Sequence, residues 1–226
     1  MSTQLKAAGE LILQMGYYKN DNARSGDYNP GHEDAVAVVL SECGFQGFVQ
    51  PDFPQLQRKH LKEWWDNEFG NQLDDILSDM PCGSYILQPG GSQSFPDILV
   101  KDFDGKIVAV ECKSAKGTHP MWNDSTPKLG AVYIMSSAKA NATTMFMGED
   151  VITKETISHF NDAVGQMNAI AATFNDLAKD ADEFMSGFIV TCRKQFFQAG
   201  GAAKTNYFTH VARDRREGNV LNLLGQ

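Results

Sequence analysis

Three residues in one short stretch are of types that together can hold a cation and act on a phosphate: Asp97, Glu111 and Lys113. Asp97 stands in Phe95-Pro96-Asp97-Ile98-Leu99-Val100, and the other two follow a turn, in Ala109-Val110-Glu111-Cys112-Lys113. Two carboxylates offer the hard oxygen ligands that Mg²⁺ prefers, completed by water, a backbone carbonyl and phosphate. A lysine beside them can orient or deprotonate a water and offset the charge of a phosphorane-like transition state. The bland alternative is a surface salt-bridge cluster on an edge hairpin. Ile98, Leu99 and Val100, and Val108, Ala109 and Val110, lack polar alternation, which marks strands covered on both faces. Three charges on such a hairpin are costly unless paired or bound to a metal.

Glu111 and Lys113 are two apart and share a face of any strand they occupy. Whether Asp97 joins them depends on the turn. A two-residue turn at Asp104-Gly105 sets Asp97 opposite Cys112 and away from Glu111. A three-residue loop of Phe103, Asp104 and Gly105, with Gly105 left-handed, sets Asp97 opposite Glu111. One residue of register exchanges the faces, so a shared cation favours the longer loop; a bend at Pro96-Asp97 would serve the same end.

The elements that must position this hairpin read as follows. Apolar residues recur at helical spacing in Gln4–Met15 and in Asp34–Cys43, the second preceded by the break Asn29-Pro30-Gly31. Gln55–Met80 reads as one long polar helix or two shorter ones, with Trp64 and Trp65 on its inner stripe, ended by Pro81. Ser84–Gln88, Asp97–Phe103, Lys106–Lys113, Ala131–Ser136 and Thr143–Met147 are strand-like, being short and rich in Ile, Leu and Val. Thr153–Ala181 returns to helical spacing with Thr153 as a candidate N-cap, although Thr156 stands where a capping box wants an acid. Phe188–Cys192 and Asn206–Arg213 are read as late strands. The fold class expected is α/β (α+β): a mixed central sheet flanked by helices, in a single domain over 1–226. Residues 1–80 form its helical part, and 81–226 its sheet core with the C-terminal helix and strands.

Composition is that of an ordinary globular chain: 226 residues, 42% hydrophobic and 21% charged. The N-terminus lacks the basic-then-apolar order of a secretory signal, and no apolar run approaches membrane-spanning length; a cytoplasmic location is the expectation. Cys43, Cys82, Cys112 and Cys192 are scattered, without the spacing of a zinc cage or a disulfide framework. The five histidines likewise have no metal-like spacing. The net charge of −8 hides a dipole. Acids crowd Glu63–Asp79, while Gly187–Gly218 carries six basic residues against two acids, a net of +4. The basic third, with Arg193, Lys194, Arg213, Arg215 and Arg216, is compatible with DNA, or is a solvated basic face.

Pro96-Asp97…Glu111-Cys112-Lys113 matches the motif of the PD-(D/E)XK nucleases in full, and both flanks extend the likeness. Gln88-Pro89-Gly90-Gly91-Ser92-Gln93 resembles the approach segment of many type II restriction endonucleases. So does Trp122-Asn123-Asp124-Ser125-Thr126-Pro127-Lys128, followed by Ala131-Val132-Tyr133-Ile134. The likeness covers roughly 84–136. It implies a restriction-endonuclease-like fold, Mg²⁺-dependent hydrolysis of both strands of duplex DNA, and a homodimer. Asp97 and Glu111 become metal ligands, with the Cys112 carbonyl as a third, and Lys113 becomes the water-orienting residue. Glu33, in Gly31-His32-Glu33-Asp34, is the candidate for an added acid from an N-terminal helix. Gln93, Lys116, Asn123, Asp124, Ser125, Lys128 and Arg193 are the candidate DNA contacts: Asn suits adenine, Asp the cytosine amino group, Ser either, and lysines the phosphates. For Asn123, Asp124 and Ser125 an ordinary polar turn closed by Pro127 is the competing reading.

Three functions follow as expectations: a sequence-specific restriction endonuclease, a structure-specific nuclease of the same superfamily such as a resolvase or repair nickase, or a non-catalytic nuclease-like binding module. A purely binding module has no need of so costly a trio, and the helices around the motif leave room for base-reading and dimer surfaces.

Overall fold

The hairpin forms in the longer-loop register. Strand β3 (Ile98–Lys101) and strand β4 (Ile107–Ala115) run antiparallel with Ile98 opposite Val110 and Lys101 opposite Ile107. Continued one step further, that register sets Asp97 opposite Glu111. The loop is fixed from within. Gly105 takes φ +87°, and its N–H donates to the Asp102 carbonyl. The buried Asp102 carboxylate accepts the N–H groups of Asp104 and Lys106. Only a residue without Cβ adopts that φ cheaply.

The computed structural model describes residues 3–19, 31–48, 77–91, 94–123, 126–179, 189–192, 195–196, 198 and 205–226. The remaining elements are α1 (Thr3–Leu13), α2 (His32–Glu42), β1 (Gln46–Gly47), β2 (Ser84–Leu87), β5 (Trp122–Asn123), β6 (Val132–Ser137), β7 (Ala142–Met147), α3 (Lys154–Lys179), β8 (Gln195–Phe196) and α4 (Arg213–Leu224). Six strands make one mixed sheet in the order β1-β2-β3-β4-β6-β7, parallel at β1·β2 and β4·β6 and antiparallel elsewhere. Strands β5 and β8 form a separate two-stranded ribbon. The protein is therefore mixed α/β, a six-stranded sheet with four described helices.

Both faces of the central strands are covered, as their unbroken apolar runs require. On one face Ile98, Val100, Val108, Val110, Val132, Ile134 and Met145 pack against Leu5, Ala8 and Ile12 of α1, Val36 and Leu40 of α2, and Val220 and Leu224 of α4. On the other, Leu99 and Ala109 meet Leu77, Met80 and Ile86, while Tyr133, Met135 and Phe146 meet Trp122, Tyr207 and Phe208. Each large apolar side chain fully buried here is worth about 1.5–3 kcal/mol. Lys101 and Lys106 reach past the sheet to donate to the carbonyls of Leu77 and Leu223, the second at the C-terminal end of α4, where a cation is favoured.

Thr153 does cap α3: its hydroxyl oxygen accepts the Thr156 N–H, with the Thr156 hydroxyl beside it in place of an acid. Two expected strands are absent. Residues 189–192 have no regular structure; there the Val190 backbone pairs with the Asn175 side chain of α3. Asn206–Arg213 is a turn, because the Asn206 side chain accepts the N–H groups of Phe208 and Thr209, and Arg213 opens α4. Most of the polar helix expected over Gln55–Met80 lies outside the described residues, Trp64 and Trp65 included; Leu77 and Met80 at its end are buried.

Gly148 holds the β6–β7 end of the sheet against residues 128–131. A Cβ there would stand 1.9 Å from the Lys128 carbonyl oxygen, and the Gly148 N–H donates to Ala131. Gly148→Ala is expected to cost about 1–3 kcal/mol, as overpacking against backbone does. A shift of the denaturant midpoint at unchanged m measures it, and an unaltered midpoint would contradict this packing.

Candidate active site

Glu111 and Lys113 leave β4 on the face that carries Ala109, between the apolar cluster under β2–β4 and the aromatic cluster on β6 and β7. The Lys113 Nζ donates to Glu111 Oε1 at 2.7 Å, and both side chains are largely enclosed, 24% and 14% exposed. Asp97 comes from the segment entering β3. Its Oδ2 accepts the Cys112 N–H at 2.7 Å, and its carbonyl accepts the Gln88 N–H, tying it to both neighbouring strands. The three side chains predicted from the sequence to act together are brought together.

Their electrostatics are those of carboxylates crowded in a poorly solvated place. Burial, then the Glu111 carboxylate, push the Asp97 carboxyl up to about 7, with Glu33 adding to the effect. The Cys112 N–H and the Lys113 ammonium pull the other way. Glu111 Oε2 is buried with no hydrogen-bond partner. A buried carboxylate oxygen without a donor is costly, and a hard cation is the ligand that such an oxygen takes. By the chemistry of its donors, the site fits Mg²⁺. Among the described residues, however, no three His, Cys, Asp or Glu side chains already stand in a cation-holding group. Glu33, in the first turn of α2, is instead engaged by Gln88, whose Nε2 donates to it at 3.1 Å. It acts on Asp97 and Cys112 through its charge. Burial, with the Asp97 and Glu111 charges, keeps the Cys112 thiol protonated, so any role of Cys112 at the site is left to its carbonyl.

The structure adds two residues to the trio. Trp122 is buried, with its ring 5.9 Å from the Lys113 Nζ and edge-on to Tyr133 at 5.1 Å. Tyr133 is the register partner of Glu111 on β6, and its hydroxyl oxygen accepts the Lys128 N–H at 2.6 Å. Burial raises that phenol far beyond its usual range, so it stays neutral. Segment 122–128 is thus fastened at both ends to the strand beside Glu111. The ring stack of His32 on Tyr18, 4.7 Å apart, is the second addition. His32 is buried, its ring near enough to the Lys113 backbone to interact, and burial with the Lys19 charge lowers its pKa to about 4. Neither was singled out as a site residue: Trp122 stands only as the first residue of the resembling segment 122–128, and His32 has no metal-like spacing.

Of the candidate DNA contacts, Lys116 is exposed just beyond β4 and Lys128 is half-buried below Tyr133. Asn123 lies in β5, its side chain outside the described residues, as are Gln93, Asp124, Ser125 and Arg193. The arginines of α4 make contacts within the protein, Arg215 from an exposed position. Arg213 pairs with Glu217 at 2.7 Å and lies over Phe208, Arg215 pairs with Asp150, and Arg216 lies over Tyr207. They fasten α4 to the sheet and to the turn after β7. All four cysteines are free, and no described helix is long and apolar enough to cross a membrane. No family model, curated protein or solved structure matches the chain.

A carboxyl raised above its ordinary value favours the folded state at low pH. Asp97 starts from about 3.8 and reaches about 7. Its contribution is complete below the first value, is lost as pH rises toward the second, and is absent above it. Without added cation, the native protein should therefore lose stability relative to Asp97→Asn between about pH 4 and pH 7 and run parallel to it above. Denaturant midpoints across that range decide it; parallel curves throughout would mean that Asp97 is not perturbed.

Proposed function

We propose that the chain is a Mg²⁺-dependent DNA endonuclease of the PD-(D/E)XK type, with a restriction-endonuclease-like core, acting on both strands at a specific sequence as a homodimer. The observation that carries the reading is the buried, unpartnered Glu111 oxygen, beside the Lys113 ammonium and on the strand face where the register sets Asp97. A structural ion pair accounts for Lys113 and one Glu111 oxygen and leaves the other oxygen and the raised Asp97 without explanation.

Asp97 and Glu111 would hold the cation, with the Cys112 carbonyl as a further ligand and Glu33 in reach by its charge. A divalent ion there supplies Lewis acidity and eases deprotonation of water. Lys113 orients the attacking water and offsets charge on the scissile phosphate. Trp122 closes one side of the lysine and excludes solvent, which strengthens each of these interactions. Asn123, Asp124 and Ser125, which follow Trp122 in the sequence, would contact the bases, and Lys116 and Lys128 the phosphates.

Purified protein is expected to cut plasmid DNA into discrete fragments with Mg²⁺, and not with Ca²⁺ or chelator. Asp97→Ala and Lys113→Ala are expected to lower cleavage by at least about 10²–10⁴-fold, the usual worth of such a group, with DNA binding in Ca²⁺ retained. Nicked circles or a smear would replace restriction with a structure-specific nuclease. No cleavage of any DNA would leave a binding module, and full activity in either variant would overturn the site.

A further inference from the structure

Helix α3 carries an apolar stripe that the rest of the described chain does not cover. Ala163, Met167, Ile170, Phe174 and Leu177 follow one another at alternating steps of four and three, the spacing of a helix-pairing seam. Met167 and Phe174 are exposed, and Ile170 and Leu177 are 72% and 70% exposed. The neighbouring stripe, Val164, Ala171 and Ala178, is the one that α3 buries. Asn175 holds Val190 in two hydrogen bonds, so the exposed Ile189 and Val190 extend the apolar surface alongside the seam.

The charges say what covers it. The chain carries −8, which opposes self-association unless the meeting surfaces are neutral. From 163 to 178 the only charged residue is Asp176, and its carboxylate is paired with Lys179 at 2.8 Å within the helix. The positions flanking the seam are Gln166 and Thr173 on one side and Val164, Ala171 and Ala178 on the other. A basic protein or a nucleic acid would find nothing to pair with. A membrane surface calls for a polar face rich in Lys and Arg, whereas this one carries Glu155, Asp162 and Asp176 against Lys154 and Lys179. A second copy of the same neutral, heptad-spaced face meets it without a like charge in contact, as an isologous two-fold interface requires.

We infer that α3 pairs with the α3 of a second copy, Ile170 and Phe174 lying at the centre of the seam. The resemblance to restriction endonucleases implies a dimer but designates no surface. The α3 seam is independent of the nuclease reading and holds whether or not the chain cuts DNA. Four seam side chains with Ile189 and Val190 fall at the small end of specific interfaces, about 800 Å² per partner being standard, so a dissociation constant of about micromolar is expected.

Sedimentation equilibrium of the full chain from about 1 to about 100 µM tests this directly. Native protein should pass from monomer to dimer, while Ile170→Lys and, separately, Leu177→Gln should raise the dissociation constant at least about tenfold. Both residues are exposed, so the variants should keep the native melting temperature, which is read alongside. Native protein that stays monomeric throughout, or a dimer that persists unchanged in both variants, overturns the inference. DNA cleavage is read in a separate assay, so a monomeric native protein removes the α3 pairing and the homodimer but leaves the nuclease site standing, and loss of cleavage leaves the α3 pairing standing.

Discussion

The pairing of β3 with β4 one step out from a two-residue turn is the constraint on which the site depends. With Ile98 opposite Val110, Asp97 shares a face with Glu111 and Lys113; shifted by one, it would face α1 and α2. Three local features hold the register: the left-handed Gly105, the buried Asp102 carboxylate under the turn, and the Asp97 hydrogen bond to the Cys112 N–H. A two-sided apolar core then makes slippage costly, since every strand residue would exchange one packed environment for another.

That same core sets the electrostatics of the site. A sheet covered on both faces leaves little water for charges that emerge from it, so Asp97 is held near neutrality and one Glu111 oxygen goes unsatisfied. Neither condition favours the fold by itself. Strain of this kind is retained where a ligand relieves it, and perturbed carboxyls in an enclosed place are a mark of function. Trp122 and Tyr133 make the enclosure, and they link the polar segment 123–128 to the strand that carries Glu111.

Most of this was legible where the signal is local. The strand pair and its two-sided burial follow from Asp104-Gly105 and from unbroken apolar runs; the loop length does not, since Asp104-Gly105 alone reads as a two-residue turn, and only the condition of a shared cation favours the three-residue loop that sets Asp97 opposite Glu111. The Thr153 cap was equally readable. What escaped depends on distant partners. Asn206–Arg213 has strand-like composition, but the Asn206 side chain makes it a turn. The following α4 was hidden by Gly218 and by a mainly polar stretch; Arg213 and Glu217 at i, i+4 and Val220 with Leu224 were its available signs. Basic residues that suggested a DNA face, Arg213 and Arg215, turn out to be paired with Glu217 and Asp150. No spacing rule places His32 or Trp122 beside Lys113, because that proximity is created by the crossover from β4 to β6 and the packing of α2.

The proposed function requires the buried carboxylates to hold a divalent cation. Calorimetric titration of Mg²⁺ into the DNA-free protein near pH 6.5, in two buffers of different ionisation enthalpy, tests it most directly. Saturable binding with proton release from Asp97 is predicted, abolished in Glu111→Gln while the fold persists. Equal binding by the native protein and Glu111→Gln, or binding without proton release, would rule out a cation held by Asp97 and Glu111.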